Sequence, residues 1–412
     1  MRRTGTLAAL GAVLLLALSG CGGDDKREGG ELTVVVNAPF SRSSALGETI
    51  AHGAELAAAQ VNARGGVVVG DATYRLRVRR LDNRFSTRQA VENVRRAVAD
   101  DAVAVVDEGR GVNASWEIAN RSDLPIGITH DGGAGLVDVD ARPNVFRIAP
   151  RDRGIAFRLA EYLVPKGLRV ALLHDDSGYG RQGESALAEA FERNPEAIAA
   201  RIALPSSAGD LAPQVLQARR AGATALLVWA EAPAIAKVLF AARSSGWNVP
   251  VYTSPTGADP LVRQQLADHP RWVDGLTFAS GRMTAEVGPG PWQAFQAAYE
   301  QAWGPQRVGV STAAGRPVTQ PPEFAMYAYD FVNVLAAALT AAGTVDDRSK
   351  VLDALEQVTV QGANGDERGF NERSHEGVVD DDVYFARFRD MTFRPVKDDP
   401  LSSTLPVIPQ EL

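Results

Sequence analysis

The sequence predicts an α/β protein of two parallel-sheet domains, and three observations predict it. From Leu32 onward, short runs rich in β-branched residues alternate with stretches of helical periodicity, the pattern of βα units that feed parallel sheets. The same rhythm starts afresh after Pro150. The 412 residues also exceed the roughly 250 to 300 residues at which single cores stop growing, so two domains are required.

The elements follow in order. Residues 32–36 read LTVVV, a continuous apolar run expected of a strand buried on both faces. A helix is predicted over about 47–63, where Ile50, Ala54, Ala57 and Val61 share one face and Gly65-Gly66 lies past the end. Residues 74–81 alternate apolar side chains with arginines, which reads as a strand with one wet face at a sheet edge. Thr87 is placed to cap the next helix, whose stripe is Ala90, Val91, Val94, Ala97 and Val98. A strand at 103–106, a helix around 115–121 and a strand at 125–129 complete the first series. The second runs helix 152–164, strand 169–174, helix 180–193, strand 198–204, helix 211–221, strand 223–229, helix 233–244 and strand 249–253. Helical patterns then cover 292–303 and 324–342. Residues 304–322 between them, rich in Gly, Pro and Thr, read as an insertion or surface loop. Residues 383–388 alternate as a last strand.

The first thirty residues have a different logic. Met1-Arg2-Arg3 is positive, residues 7–18 are apolar apart from Gly11, and Leu18-Ser19-Gly20-Cys21 follows, the layout of a cleavable signal peptide. The apolar run is well short of the roughly 20 residues needed to span a bilayer. Residues 1–20 are thus expected to be removed. LSGC resembles the lipobox of bacterial lipoproteins, which implies lipidation of Cys21. Residues 21–31, polar and glycine-rich, read as the lipidated tether.

Composition excludes several classes. A net charge of -7 with both signs intermixed does not suit a nucleic-acid surface. One cysteine cannot make an internal disulfide. Neither a G-x-S-x-G elbow, an H-E-x-x-H pair nor a Walker-type phosphate loop occurs, so no enzyme, cofactor or metal site is expected.

Several strings now fall in order: VNAPFSRSSALGETIAHGAELAAAQVNARGG, LDNRFSTRQAVENVRRAVADDAVAVV, ARPNVFRIAPRD, RVALLHDDSGYGR, NVPVYTS and the helix around Tyr327-Ala328-Tyr329-Asp330. Together they resemble the type I solute-binding proteins of ABC importers, nearest the leucine/isoleucine/valine-binding family, over 32 to about 395. The resemblance implies two doubly wound parallel-sheet lobes joined by a three-strand hinge, with a small polar solute held between them for an ABC permease. Lobe one would be 32–148 plus 282–356, and lobe two 149–278 plus 366–398. The third crossover is expected within 362–370. A sensor or assembly lipoprotein of the same fold, docking on a membrane or cell-wall partner, is the alternative.

Ligands of open α/β sheets sit outside the carboxyl ends of the strands. Candidate contacts there are Ser43 and Leu46 after the first strand, Asn113 or Ser115 in the loop from Gly109, and Asp131, Gly132 and Gly133 after the strand at 125–129. In the second series they are Tyr179, Glu231 and Thr256. By the resemblance, Gly133 stands where the family has a threonine that binds a ligand carboxylate, and Thr256 where it has an acid that pairs with a ligand ammonium. Glu231 is a candidate for a relocated carboxylate.

Overall fold

The computed structural model describes residues 27–281, 289–378 and 383–402. The expected signal peptide, Cys21 and the first part of the tether lie outside these residues.

The first sheet comprises β1 (Arg27–Ala38), β2 (Val67–Val69), β3 (Ala72–Asp82), β4 (Ala104–Asp107), β5 (Ile126–Ile128) and β6 (Val145–Arg147), in the order β2-β3-β1-β4-β5-β6. Only the short β2 runs antiparallel, so β3 is an edge strand beyond its first few residues. That explains its outward arginines, one of which, Arg80, is held by Glu48 and Glu55 at 2.6 Å each. The second sheet starts with β7 (Val170–Asp175), β8 (Ile198–Leu204), β9 (Ala225–Trp229), β10 (Val251–Thr253) and β11 (Thr277–Gly281). Two hairpins follow, β12 (Arg307–Ser311) with β13 (Pro317–Thr319), and β14 (Thr359–Gln361) with β15 (Glu367–Gly369). Finally β16 (Val383–Arg389) and β17 (Thr392–Pro395) join β11 antiparallel, giving the order β17-β16-β11-β10-β9-β7-β8.

Four expectations are corrected. β1 starts at Arg27 and pairs with β3 from Ala72, so residues 27–31 are sheet rather than tether: backbone pairing does not require an apolar side chain. Ser86, not Thr87, caps the helix Thr87–Ala99, its side chain accepting from the Gln89 N–H. Residues 304–322 are not a free loop. Their hairpin braces the molecule, the Gln264 side chain donating to the Val308 carbonyl at 2.7 Å and Gln306 to the Thr49 hydroxyl at 2.8 Å. The chain also rejoins the second sheet later than residue 366. β14 and β15 still pack on the helix Glu323–Ala342 of the first lobe, and 375–377 run beside β6, with Arg147 N–H donating to the His375 carbonyl at 2.8 Å.

The long helix Glu323–Ala342 belongs to the core, not to a bilayer, because its Ala325, Phe331, Val334 and Leu335 are fully buried. It crosses Ser44–Ala63 so closely that a Cβ on Gly53 would stand 2.0 Å from the Ala325 carbonyl oxygen. Overpacking of a filled contact costs roughly 1–3 kcal/mol. Gly53→Ala is therefore expected to lower the unfolding free energy by an amount in that range, read as a lower urea midpoint. An unchanged midpoint would show that the two helices can separate at no cost.

Candidate functional site

A cavity of about 540 Å³ opens between the two sheets, and nearly every strand that points at it contributes the residues just past its carboxyl end. From the first lobe come Ser43 and Leu46 after β1, Arg84 and Phe85 after β3, Glu108 and Arg110 after β4, and His130 and Asp131 after β5. The second lobe supplies Tyr179 after β7, Glu231 after β9, and Thr256 and Asp259 after β10. Phe324, Gln306 and Gln320 from the C-terminal segment close one side. A smaller inner chamber, lined by Asp152, Ile155 and Tyr327, shares His130, Tyr179, Pro255 and Phe324 with the main cavity.

Arg110 is the bridge between the walls. Its Nη2 lies 3.1 Å from Glu231 Oε1 across the cleft, and its Nε 3.8 Å from Glu108. Its guanidinium also sits over the Phe85 ring, 4.3 Å from the centroid. Phe85 reaches that position through an unusual turn in which both Arg84 and Phe85 have positive φ, 56° and 53°. Asp82 and Asn83 hold the turn, their side chains accepting from the Arg84 and Phe85 N–H groups at 3.0 Å each. Two consecutive left-handed residues that are not glycine store strain.

On the opposite wall Tyr179 leans on the fully buried Trp229, ring centroids 5.8 Å apart. The Thr256 hydroxyl donates to the Tyr179 hydroxyl at 3.0 Å. Glu231 is fixed from its backbone, its N–H donating to Asp175 Oδ2 at 2.7 Å. Ser43 precedes the helix Ser44–Ala63 without its side chain capping it, which leaves the hydroxyl at the cavity wall.

The structure thus brings Ser43, Leu46, Asp131, Tyr179, Glu231 and Thr256 to one cavity, but not Asn113, Ser115, Gly132 or Gly133. Asn113 points outward and accepts from Arg142 at 2.6 Å. Ser115 is buried inside its helix, donating to the Gly111 carbonyl at 3.0 Å. Gly132 accepts the Asp152 N–H at 2.8 Å, at the seam where the lobes join. The Gly133 N–H, an expected anion donor, is already taken by Asp131 Oδ1 at 2.8 Å, and its carbonyl by Arg147 at 2.8 Å. Arg110, Glu108, Phe85 and Asp259, which obey the strand-end rule, and Phe324, Gln306 and Gln320, which do not, were not singled out from the sequence.

Burial dominates the electrostatics. It pushes the Glu108 carboxyl up to about 8, opposed by Arg110 and reinforced by Asp107, Asp131 and Glu231. Asp131 and Asp152 are both raised by burial, and Asp152 further by Asp131. Glu231 is raised by burial against the pull of Arg110. His130 is lowered to about 4 by burial, then by Arg110, so it is neutral near pH 7. Its Nδ1 is buried without a hydrogen-bond partner among the described residues.

Two α/β lobes with their strand ends turned to a shared cavity define a two-lobed binding protein of the type I periplasmic class. The chain belongs to the periplasmic binding protein family, whose model matches residues 35–392. Among curated relatives, Leu/Ile/Val-binding protein homolog 3 of Brucella melitensis is 25% identical over 333 residues, covering 79% of this chain and 83% of that protein. Homolog 7 of the same organism is 30% identical over 210 residues, 46% of this chain and 49% of its own length. Solved structures share the fold. A periplasmic binding protein type 1 from Bordetella pertussis has a TM-score of 0.76 at 20% identity over 88% of this chain and 99% of that one. LivJ from Streptococcus pneumoniae, in complex with isoleucine, has 0.72 at 19% over 88% and 97%. Membership implies an extracytoplasmic solute-binding protein, not a member of an enzyme family.

Carboxyls whose folded-state pKa is raised bind protons more tightly in the folded form, so stability falls as pH rises from their unfolded values toward the raised ones. Between about pH 7.5 and 8.5 His130 is neutral when buried and, with an ordinary value of about 6.5, neutral in the unfolded chain as well, so it does not oppose this. The melting temperature of the free protein is expected to fall across that interval, and to fall less in Glu108→Gln. A melting temperature that rises or stays level in calorimetric scans would contradict the assignment.

Proposed function

We propose that this protein captures a small polar solute, an amino acid, amide or related compound, between its two lobes and delivers it to an ABC permease. The observation that carries the reading is the cavity of about 540 Å³ walled by polar strand-end residues of both lobes, a size ordinary for small-molecule sites. Closing the lobes removes water from the few hydrogen bonds and charges inside, which strengthens them. The names of the Brucella relatives and of the isoleucine complex support an amino-acid-like solute. The LSGC string and the leader before it support export and a lipid on Cys21 that tethers the protein beside its membrane partner.

Thermal-shift and calorimetric screening against amino acids, amides, ureas and small acids tests capture. For any compound that binds, Tyr179→Ala is expected to weaken affinity at least about tenfold, the loss of one well-packed aromatic contact. Asn113→Ala is expected to leave it unchanged, since that side chain faces outward. Equal effects of both substitutions would count against the cavity as the site. The tether has a separate test: Cys21→Ala should abolish incorporation of a labelled lipid precursor and shift the protein from the membrane to the soluble fraction. Persistent labelling would refute it.

A further inference from the structure

The inner end of the cleft is short of positive charge. Glu108, Asp131 and Glu231 line the main cavity, Asp152 lines the inner chamber, and Asp107 is wholly buried just behind them. Among the described residues, the guanidinium groups that act on these carboxyls are Arg110 and Arg147. Arg147 is committed elsewhere: it grips Glu376 through two bonds of 2.8 and 2.6 Å and holds the Gly133 carbonyl at 2.8 Å. Arg110 therefore faces carboxyls from both lobes, while among the described residues its own buried Nε has no acceptor within hydrogen-bond distance. Arg42 and Arg84 sit on the exposed rim, with Arg84 drawn to Asp82 at 3.7 Å. Asp152, 4% exposed, keeps a buried Oδ2 that meets no donor among the described residues.

The same end is poorly equipped for an anion. The backbone N–H of Gly133 is spent on Asp131, and His130 is uncharged near pH 7. It is better equipped for a cation, because the Tyr179 and Phe324 rings, which line both chambers, attract positive charge. A bare metal ion does not fit, since among the described residues no three His, Cys, Asp or Glu side chains converge to hold one. We propose that the cleft selects a small organic cation, a ligand whose ammonium, guanidinium or amidinium group reaches the Asp131, Asp152 and Glu231 end. This rests on the solute-binding reading above and narrows its substrate class. The cation donates an N–H bond to Asp152 Oδ2 and adds to the bonds that Asp131 and Glu231 already accept, and its charge favours the ionised forms of these carboxyls, which burial otherwise opposes.

The test is calorimetric and thermal-shift titration of the mature chain with agmatine, cadaverine and benzamidine, beside L-leucine and the anion isocaproate. Expected are a rise in melting temperature with at least one cation, an affinity that weakens as salt is added, and no response to isocaproate. Glu231→Gln, a change at a partly exposed side chain, is expected to weaken cation binding about tenfold or more while the free variant melts within a few degrees of the wild type. Binding of leucine or isocaproate with no response to any cation overturns the cationic class and leaves solute capture standing. Silence from all five compounds overturns the class too, and capture then falls only if the wider screen of solutes is also silent.

Discussion

Everything functional in this molecule depends on one constraint, that two parallel sheets turn the carboxyl ends of their strands toward a common cleft. A parallel strand must be followed by a crossover, so each strand end is also a loop that leads into a helix. Those loops are where polar side chains can stand without disturbing either core. Ser43 follows β1, Arg110 follows β4, Asp131 follows β5, Tyr179 follows β7, Glu231 follows β9 and Thr256 follows β10. Six positions scattered over more than half the chain thus become neighbours.

The cores keep that arrangement fixed. Trp229, at the end of β9, is fully buried and packs against Gly183, where a Cβ would come within 2.2 Å of the indole, so the wall that carries Tyr179 cannot shift easily. The hairpin of β12 and β13 adds a brace at the mouth. Beyond it, Gln320 accepts from Arg263, a guanidinium buried in the second lobe over Phe388 and Phe393 at 4.8 and 5.3 Å. Burial lowers Arg263 to about 9 against the pull of Asp259 and Glu323. The segment that leads back toward the second sheet is held by charge as well, through Arg147 and Glu376. Within this frame the raised carboxyls of the cleft are a cost of burial, which the proposed cationic ligand would offset.

Much of the fold was legible because its signals are local. LTVVV and the run at 225–229 are short stretches rich in apolar residues that read as buried strands and are so, and Gly65-Gly66 lies past the end of its helix as expected. What the sequence hid depended on distant partners. The start of β1 is set by pairing with Ala72, and the hairpin at 307–319 by its contacts with Gln264 and Thr49. For the cavity, the strand-end rule reached Ser43, Asp131, Tyr179, Glu231 and Thr256, but a loop position does not reveal which way its side chain points. Asn113 and Ser115 sit in the right loop, yet helical geometry aims one at solvent and buries the other, while Arg110 beside them takes the cleft. Phe324, Gln306 and Gln320 arrive from the far end of the chain, and no local pattern announces them.

The central claim is that a solute is gripped by both lobes at once. A crystal structure of the protein grown with the compound that most raises its melting temperature tests this most directly. The account predicts that compound in the cavity, in contact with Arg110 or Asp131 from one lobe and with Tyr179 or Glu231 from the other. A compound held by one lobe alone, or bound outside the cavity, would contradict it.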